Sequence, residues 1–241
     1  MKRNEIGLSD KETPLCVRAH RLQSTLPEVP CVYAPLHFYA ERKRAIVKRL
    51  GEFRDVWKTK SEKKLFSELS FCLLTPQSKA KACWDAVLKL NKNGVLLNGS
   101  RRQVRECLAG VRFANNKAGY VVRARKNLPG LKSILKKYAR GEMDIPEVRT
   151  WLVRNVRGFG YKEAGHFLRN VGLGDEIAIL DRHILKNMKL LGLIREIPAC
   201  LTPKRYAAVE NKLRAFSQKT GIPIAHLDLL FWSKETGEVF R

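Results

Sequence analysis

The sequence predicts an all-α fold. Apolar residues recur at helical spacing through most of the chain beyond residue 40, alternating β patterns are scarce, and the helical stretches are joined by short turns marked with Gly or Pro. With 241 residues the chain is long enough to bury a core, as one domain or as two. Its 47 Lys and Arg against 23 Asp and Glu leave a formal charge of +24, more than solubility requires, so a polyanion is the expected partner, nucleic acid first. Ribosome association and an anionic membrane surface are alternatives that charge alone leaves open.

Taken in order, residues 1–40 carry Pro14, Pro27, Pro30 and Pro35 with mixed polarity and little periodicity. They read as an extended arm, either packed on the body or partly disordered. The opening MKRNEIGLSDKETP holds no apolar run of signal-peptide length, and nowhere do about 18 apolar residues follow one another. An intracellular location, cytoplasm or nucleoid, and no membrane partner are therefore expected. Helices are expected over 42–51, 62–74 and 79–91. In TPQSKAKACWDAVLKLNKNG, Thr75 offers an N-cap and Pro76 a first helical position, and Cys83, Ala86, Val87 and Leu90 share one face before Gly94. Further helices are expected over 101–109, 115–127, 131–140, 146–156, 162–171, 182–191, 203–219 and 223–235. The one over 203–219 repeats the Thr-Pro start with Thr202 and Pro203, and buries Tyr206, Val209, Leu213 and Phe216 before Gly221. Six cysteines, Cys16, Cys31, Cys72, Cys83, Cys107 and Cys200, are widely spaced without a C-x-x-C pair and read as buried thiols. The five histidines are equally scattered, so no metal is expected.

Chemistry concentrates after residue 145. IPEVRTWLVRNV reads as a helix, RGFGY as a hairpin and KEAGHFLRNVG as a second helix, a helix-hairpin-helix pattern over 146–171. Gly158 and Gly160 permit backbone conformations that bring amide N–H groups close to a phosphate, and the following helix N-terminus adds positive partial charge. An ordinary corner between two helices explains the glycines equally well. Lys162 opens the second helix, and 19 residues on, Asp181 stands at the N-cap of the next, where backbone N–H groups favour a carboxylate. Capping alone justifies an aspartate there, and solvation alone justifies a lysine. The combination of hairpin, lysine and capping carboxylate goes further than either.

With these residues the sequence resembles the helix-hairpin-helix DNA glycosylases that carry a Gly/Pro-Asp signature. The resemblance implies that the hairpin grips DNA and that the Lys162 amine displaces the damaged base by attacking the sugar. Asp181 would then stabilise the positive charge developing on the sugar and help bring the lysine to its neutral, nucleophilic form. A base inside a duplex hides its glycosidic bond, so such an enzyme extrudes the nucleotide and must fill the gap. Gln77 in LLTPQSKA matches the plugging glutamine of relatives, although an exposed residue in a helix's first turn would look the same.

Iron-sulfur members carry four cysteines near the C-terminus, and only Cys200 lies there in this sequence. GVRFANNKAGYV at 110–121 and AHLDLLFWSKETGEVFR at the end are similar to the archaeal-type 8-oxoguanine DNA glycosylases, the second branch of that activity. The resemblance runs from about residue 45 to the last residue. It implies an aromatic stack on the extruded base, with Trp232 as the matching ring and Phe113 on the opposite face. Such stacking is worth about 1–3 kcal/mol and is nearly blind to base identity. Discrimination falls to hydrogen bonds, because the lesion has an N7–H donor where guanine has an acceptor. The α-carboxylate at residue 241 is a candidate reader. The branch usually ends in lysine, so Arg241 departs from it.

The expected architecture is two helical lobes with the site in the cleft between them. Residues 66–181 form a helical barrel containing the hairpin, 41–65 plus 182–241 form the flanking lobe, and 1–40 form an arm of unknown role. The expected activity is excision of 8-oxoguanine from double-stranded DNA through a lysine Schiff base, then β-elimination at the abasic site, by a monomer without cofactor. Thymine-glycol or mismatch specificity on the same scaffold, or a non-enzymatic DNA-binding module, are the competing readings.

Overall fold

The computed structural model describes residues 33–59 and 61–241. Among these residues the chain forms α-helices and no strand: α1 (Tyr33–Thr59), α2 (Glu62–Leu74), α3 (Ala80–Lys92), α4 (Val95–Asn98), α5 (Arg101–Cys107), α6 (Ala114–Ala124), α7 (Leu128–Ala139), α8 (Ile145–Asn155), α9 (Tyr161–Asn170), α10 (Arg182–Leu190), α11 (Pro203–Thr220) and α12 (Ile224–Thr236). The all-α class follows from the periodicity, since each apolar stripe at helical spacing requires a partner stripe. Caps written in the sequence set many starts. Ser61, Ser100, Asp144, Asp181 and Thr202 each accept a backbone N–H of the first turn.

Two apolar cores result. The first is built on α2 to α9 around Phe66, Leu69, Phe71, Leu90, Val121, Leu152 and Phe167. The second joins α1 to α10, α11 and α12 around Ile46, Phe53, Met188, Tyr206, Leu213 and Leu227. The chain passes between them at 177–178, just after α9.

The structure departs from the expectations in several places. Most of the expected arm, including Cys16 and Cys31, lies outside the described residues, but residues 33–40 belong to α1 and are helical. Pro35 is accommodated because a first-turn proline sacrifices no intrahelical N–H bond. TPQS does not start α3. The Thr75 N–H donates to Phe71 O at 3.1 Å and its hydroxyl donates to Cys72 O at 3.1 Å, which ends α2. Gln77 then takes a left-handed φ of 56°, so α3 begins only at Ala80. Gln77 is therefore a loop residue rather than a first-turn one. Cys72, Cys83 and Cys107 are buried, whereas Cys200 is exposed. It lies in the irregular loop before α11, outside any helical apolar stripe.

Candidate active site

The hairpin is built from both ends. Asp144 and Glu147 cap α8 reciprocally, with N–H···O distances of 2.8 Å in each direction. At its far end the chain turns through Gly158 at φ 101°, where a Cβ would stand 3.0 Å from the Tyr120 ring and 3.3 Å from Leu73. That position demands glycine on both conformational and steric grounds. Phe159 is buried and tilts against Phe167, anchoring the hairpin to the first core. Gly160, the cap of α9, is extended, and its N–H already donates to Glu163 Oε2 at 3.1 Å. The protein itself thus engages one of the two amides that the sequence offered to a phosphate.

Lys162 follows in the first turn of α9, 24% exposed, with its Nζ 3.8 Å from Glu163 Oε1. Asp181 caps α10 through Oδ1, which accepts the His183 and Ile184 N–H groups at 2.8 and 2.9 Å. Both charges act on Asp228, which is buried on α12. Burial raises the Asp228 carboxyl to about 6, Arg169 and Lys162 oppose that rise, and Asp181 adds to it. Helix α9, whose first turn carries Lys162, packs through Gly165 against the Ala178 carbonyl, three residues before Asp181.

A polar network the sequence reading missed fills this seam. Arg169 pairs with Asp228 and donates to Asn170 Oδ1, and Asn170 Nδ2 donates to Glu68 Oε2 at 3.1 Å. Glu68 pairs in turn with Arg241. All of these but Arg241 are buried. Burial raises the Glu68 carboxyl, and Arg241 opposes the rise most strongly. The visible signal was a charge inside each apolar run, in FSELSF, FLRNVG and LDLLFW. Buried charges of this kind are paired or absent.

The segment after α12 folds back at Gly237, stacking Phe240 on Trp232 with ring centres 6.2 Å apart and planes 27° apart. The Arg241 guanidinium lies 3.6 Å from the centre of the Trp84 ring. Beside it, His166 is one turn beyond Lys162, with its ring edge-on to Phe71. Both His166 ring nitrogens are buried without a hydrogen-bond partner among the described residues. Burial, followed by the charges of Arg169 and Lys162, holds this imidazole well below its ordinary range and therefore neutral.

Gln77 and Phe113 lie on loops that are bonded to each other, the Arg112 N–H donating to Ser78 Oγ. Phe113 caps α6 with φ 58° and is 54% exposed, under the Arg112 guanidinium. Lys117, buried on α6, donates to Leu74 O and Pro76 O at 2.7 Å and to Ser78 Oγ at 2.9 Å. Ser78 Oγ also accepts the Arg112 N–H at 3.0 Å. The ammonium thus ties the loop of Gln77 to α6, and Ser78 ties that loop to the turn of Phe113; both loops carry a left-handed residue. Trp232 has Phe240 as its stacking neighbour.

No group of three or more His, Cys, Asp or Glu is placed to hold a metal among the described residues, and none of their helices is long and apolar enough to cross a membrane. An all-α scaffold with a glycine hairpin, a lysine in the first turn of the helix that follows it and an aspartate capping the next helix fits the class of helix-hairpin-helix DNA glycosylases. The family model described as 8-oxoguanine DNA glycosylase matches residues 46–222. The chain belongs to the 8-oxoguanine DNA glycosylase family. It is 44% identical over 204 residues to the 8-oxoguanine DNA glycosylase/AP lyase of Fusobacterium nucleatum, covering 84% of this chain and 94% of that one. Its structure is similar to that of the Thermotoga maritima 8-oxoguanine DNA glycosylase, with a TM-score of 0.79 and 35% identity over 87% of this chain and 98% of that one. It is similar also to the Methanocaldococcus jannaschii 8-oxoguanine glycosylase/lyase in complex with a 15mer DNA containing 8-oxoguanine. The TM-score there is 0.78 and the identity 34%, over 87% and 99% of the two chains.

Proposed function

We propose that this protein excises 8-oxoguanine from duplex DNA and nicks the resulting abasic site, with Lys162 as nucleophile and Asp181 as the charge-stabilising carboxylate. One observation carries the residue roles: the helix whose first turn carries Lys162 packs through Gly165 against the Ala178 carbonyl, three residues before the capping Asp181. The neutral Lys162 amine attacks the anomeric carbon as the bond to the base breaks, and the electron pair of that bond leaves with the base. Loss of the amine proton and opening of the sugar ring give a Schiff base. Its positive charge acidifies the 2′ position, and removal of a 2′ proton expels the 3′ phosphate. Asp181 uses Oδ1 for the cap, so its second oxygen is available to the developing cation.

The formal charge of +24 supplies the attraction for the DNA backbone, so affinity falls steeply with salt as counterions are released. Gln77 and Phe113 stand ready to enter the duplex from their knitted loops. Trp232 offers a stacking surface for the extruded base, and Arg241, held on Trp84 and Glu68, lines the same seam. The test is incubation with an 8-oxoguanine duplex under borohydride. A trapped adduct and a cleaved strand are expected with the unaltered protein. Lys162→Gln should trap nothing while binding the duplex normally, and an adduct with that variant would overturn the assignment.

A further inference from the structure

Ile177, Ala178, Ile179 and Leu180 run from the end of the α9 region to the cap residue Asp181, and all four are buried. Buried backbone polar groups need partners, and no strand lies among the described residues to provide them. Helix α11 provides partners for three of them from side chains. Tyr206 donates its hydroxyl to Ala178 O at 2.7 Å and accepts the Leu180 N–H at 3.1 Å. Glu210 Oε1, one turn further along, accepts the Ala178 N–H at 2.8 Å. Two side chains therefore fix three main-chain groups within the three residues before Asp181.

The same cluster reaches the lysine. Arg149 of α8 is buried and pairs bidentately with Glu210, at 2.7 and 3.0 Å. Its guanidinium lies 5.4 Å from the centre of the Tyr206 ring and 5.5 Å from that of Tyr161. The two tyrosine rings are 5.7 Å apart, and Tyr161 immediately precedes Lys162. Gly165 in the same helix faces the Ala178 carbonyl so closely that a Cβ would stand 3.4 Å from its oxygen. Ala178 is thus held between the helix that bears Lys162 and the helix that bears Tyr206.

We propose that Tyr206, supported by Glu210 and Arg149, is a positioning residue that sets Asp181 against Lys162. The inference rests on the roles assigned above to those two residues. None of the three touches the reacting atoms. Their effect is geometric, and a displacement of about 1 Å at a reacting pair can cost on the order of a hundredfold in rate.

The test uses the full chain as wild type, Tyr206→Phe, Glu210→Gln, Val209→Ala and Lys162→Gln. Single-turnover excision of 8-oxoguanine, borohydride trapping, affinity for an uncleavable abasic-analogue duplex and thermal midpoint are measured on each. Tyr206→Phe keeps the ring and removes only the hydroxyl that holds Ala178 and Leu180. It should slow single-turnover excision about tenfold with unchanged duplex affinity. Glu210→Gln keeps an oxygen for the Ala178 N–H while weakening the hold of Arg149, so it should slow excision less; it carries the test if the tyrosine variant does not fold. Val209→Ala removes buried methyl groups from the same helix and should lower the midpoint without changing the rate. A wild-type rate in both Tyr206→Phe and Glu210→Gln, or a rate loss in Val209→Ala matching that of Tyr206→Phe, overturns the proposal. If the wild type traps no adduct, or Lys162→Gln still traps one, the Lys162 assignment fails and this inference falls with it.

Discussion

Gln77→Gly should move stability and activity in opposite directions. Gln77 is exposed and holds φ at 56°, a conformation that costs a residue with a Cβ about 1–2 kcal/mol. Glycine removes that cost and adds about 0.5–1 kcal/mol of backbone entropy to be lost on folding. The net gain is about 0.5–1 kcal/mol, or about 1–4 °C in midpoint for a chain of this size. If Gln77 fills the gap left by the extruded base, its loss should slow single-turnover excision about tenfold, equivalent to about 1.4 kcal/mol. Differential scanning fluorimetry and single-turnover kinetics on one preparation read both effects. A lower midpoint refutes the strain argument, and a wild-type excision rate refutes the role in the duplex.

Asp181→Asn retains an oxygen for the His183 and Ile184 amides, so folding should be nearly unchanged while excision slows about a hundredfold or more. Near-normal cleavage would exclude the assigned role. Lys117→Met leaves Leu74 O, Pro76 O and Ser78 Oγ without their donor, and should cost about 2–4 kcal/mol in chemical denaturation and weaken lesion-duplex binding. Unchanged values in both measurements would remove its role as a staple. The Asp228 carboxyl, raised to about 6 in the fold from 3.8, binds its proton more tightly when folded. Its contribution is therefore greatest below about pH 4 and is lost as pH rises through 6. The stability of the wild type minus that of Asp228→Asn should fall by about 3 kcal/mol in all from well below pH 4 to well above pH 6, and a pH-independent difference in denaturation midpoints would show that Asp228 does not titrate this way.

The all-α class and the span of most helices were legible in the sequence, because a stripe at helical spacing and a Ser, Thr or Asp cap act within a few residues of themselves. The cap at Asp181, the Thr202 start of α11 and the hairpin glycine at 158 are local in this sense. The same Thr-Pro grammar misled at Thr75. There, Gln77 is held in the left-handed region, and an ammonium on a helix 40 residues away bonds the carbonyls around it. The helix starts at Lys162 and Asp181 were legible because each lies beside recognisable turn or cap chemistry. What surrounds them was not, since Glu68, Asp228, Arg169 and Arg241 become partners only when four separate segments converge at the seam. A local pattern records which residues need burial or a cap. It does not record which distant group satisfies a buried charge or a bare carbonyl, and the tertiary packing of α9, α11 and α12 decided that here.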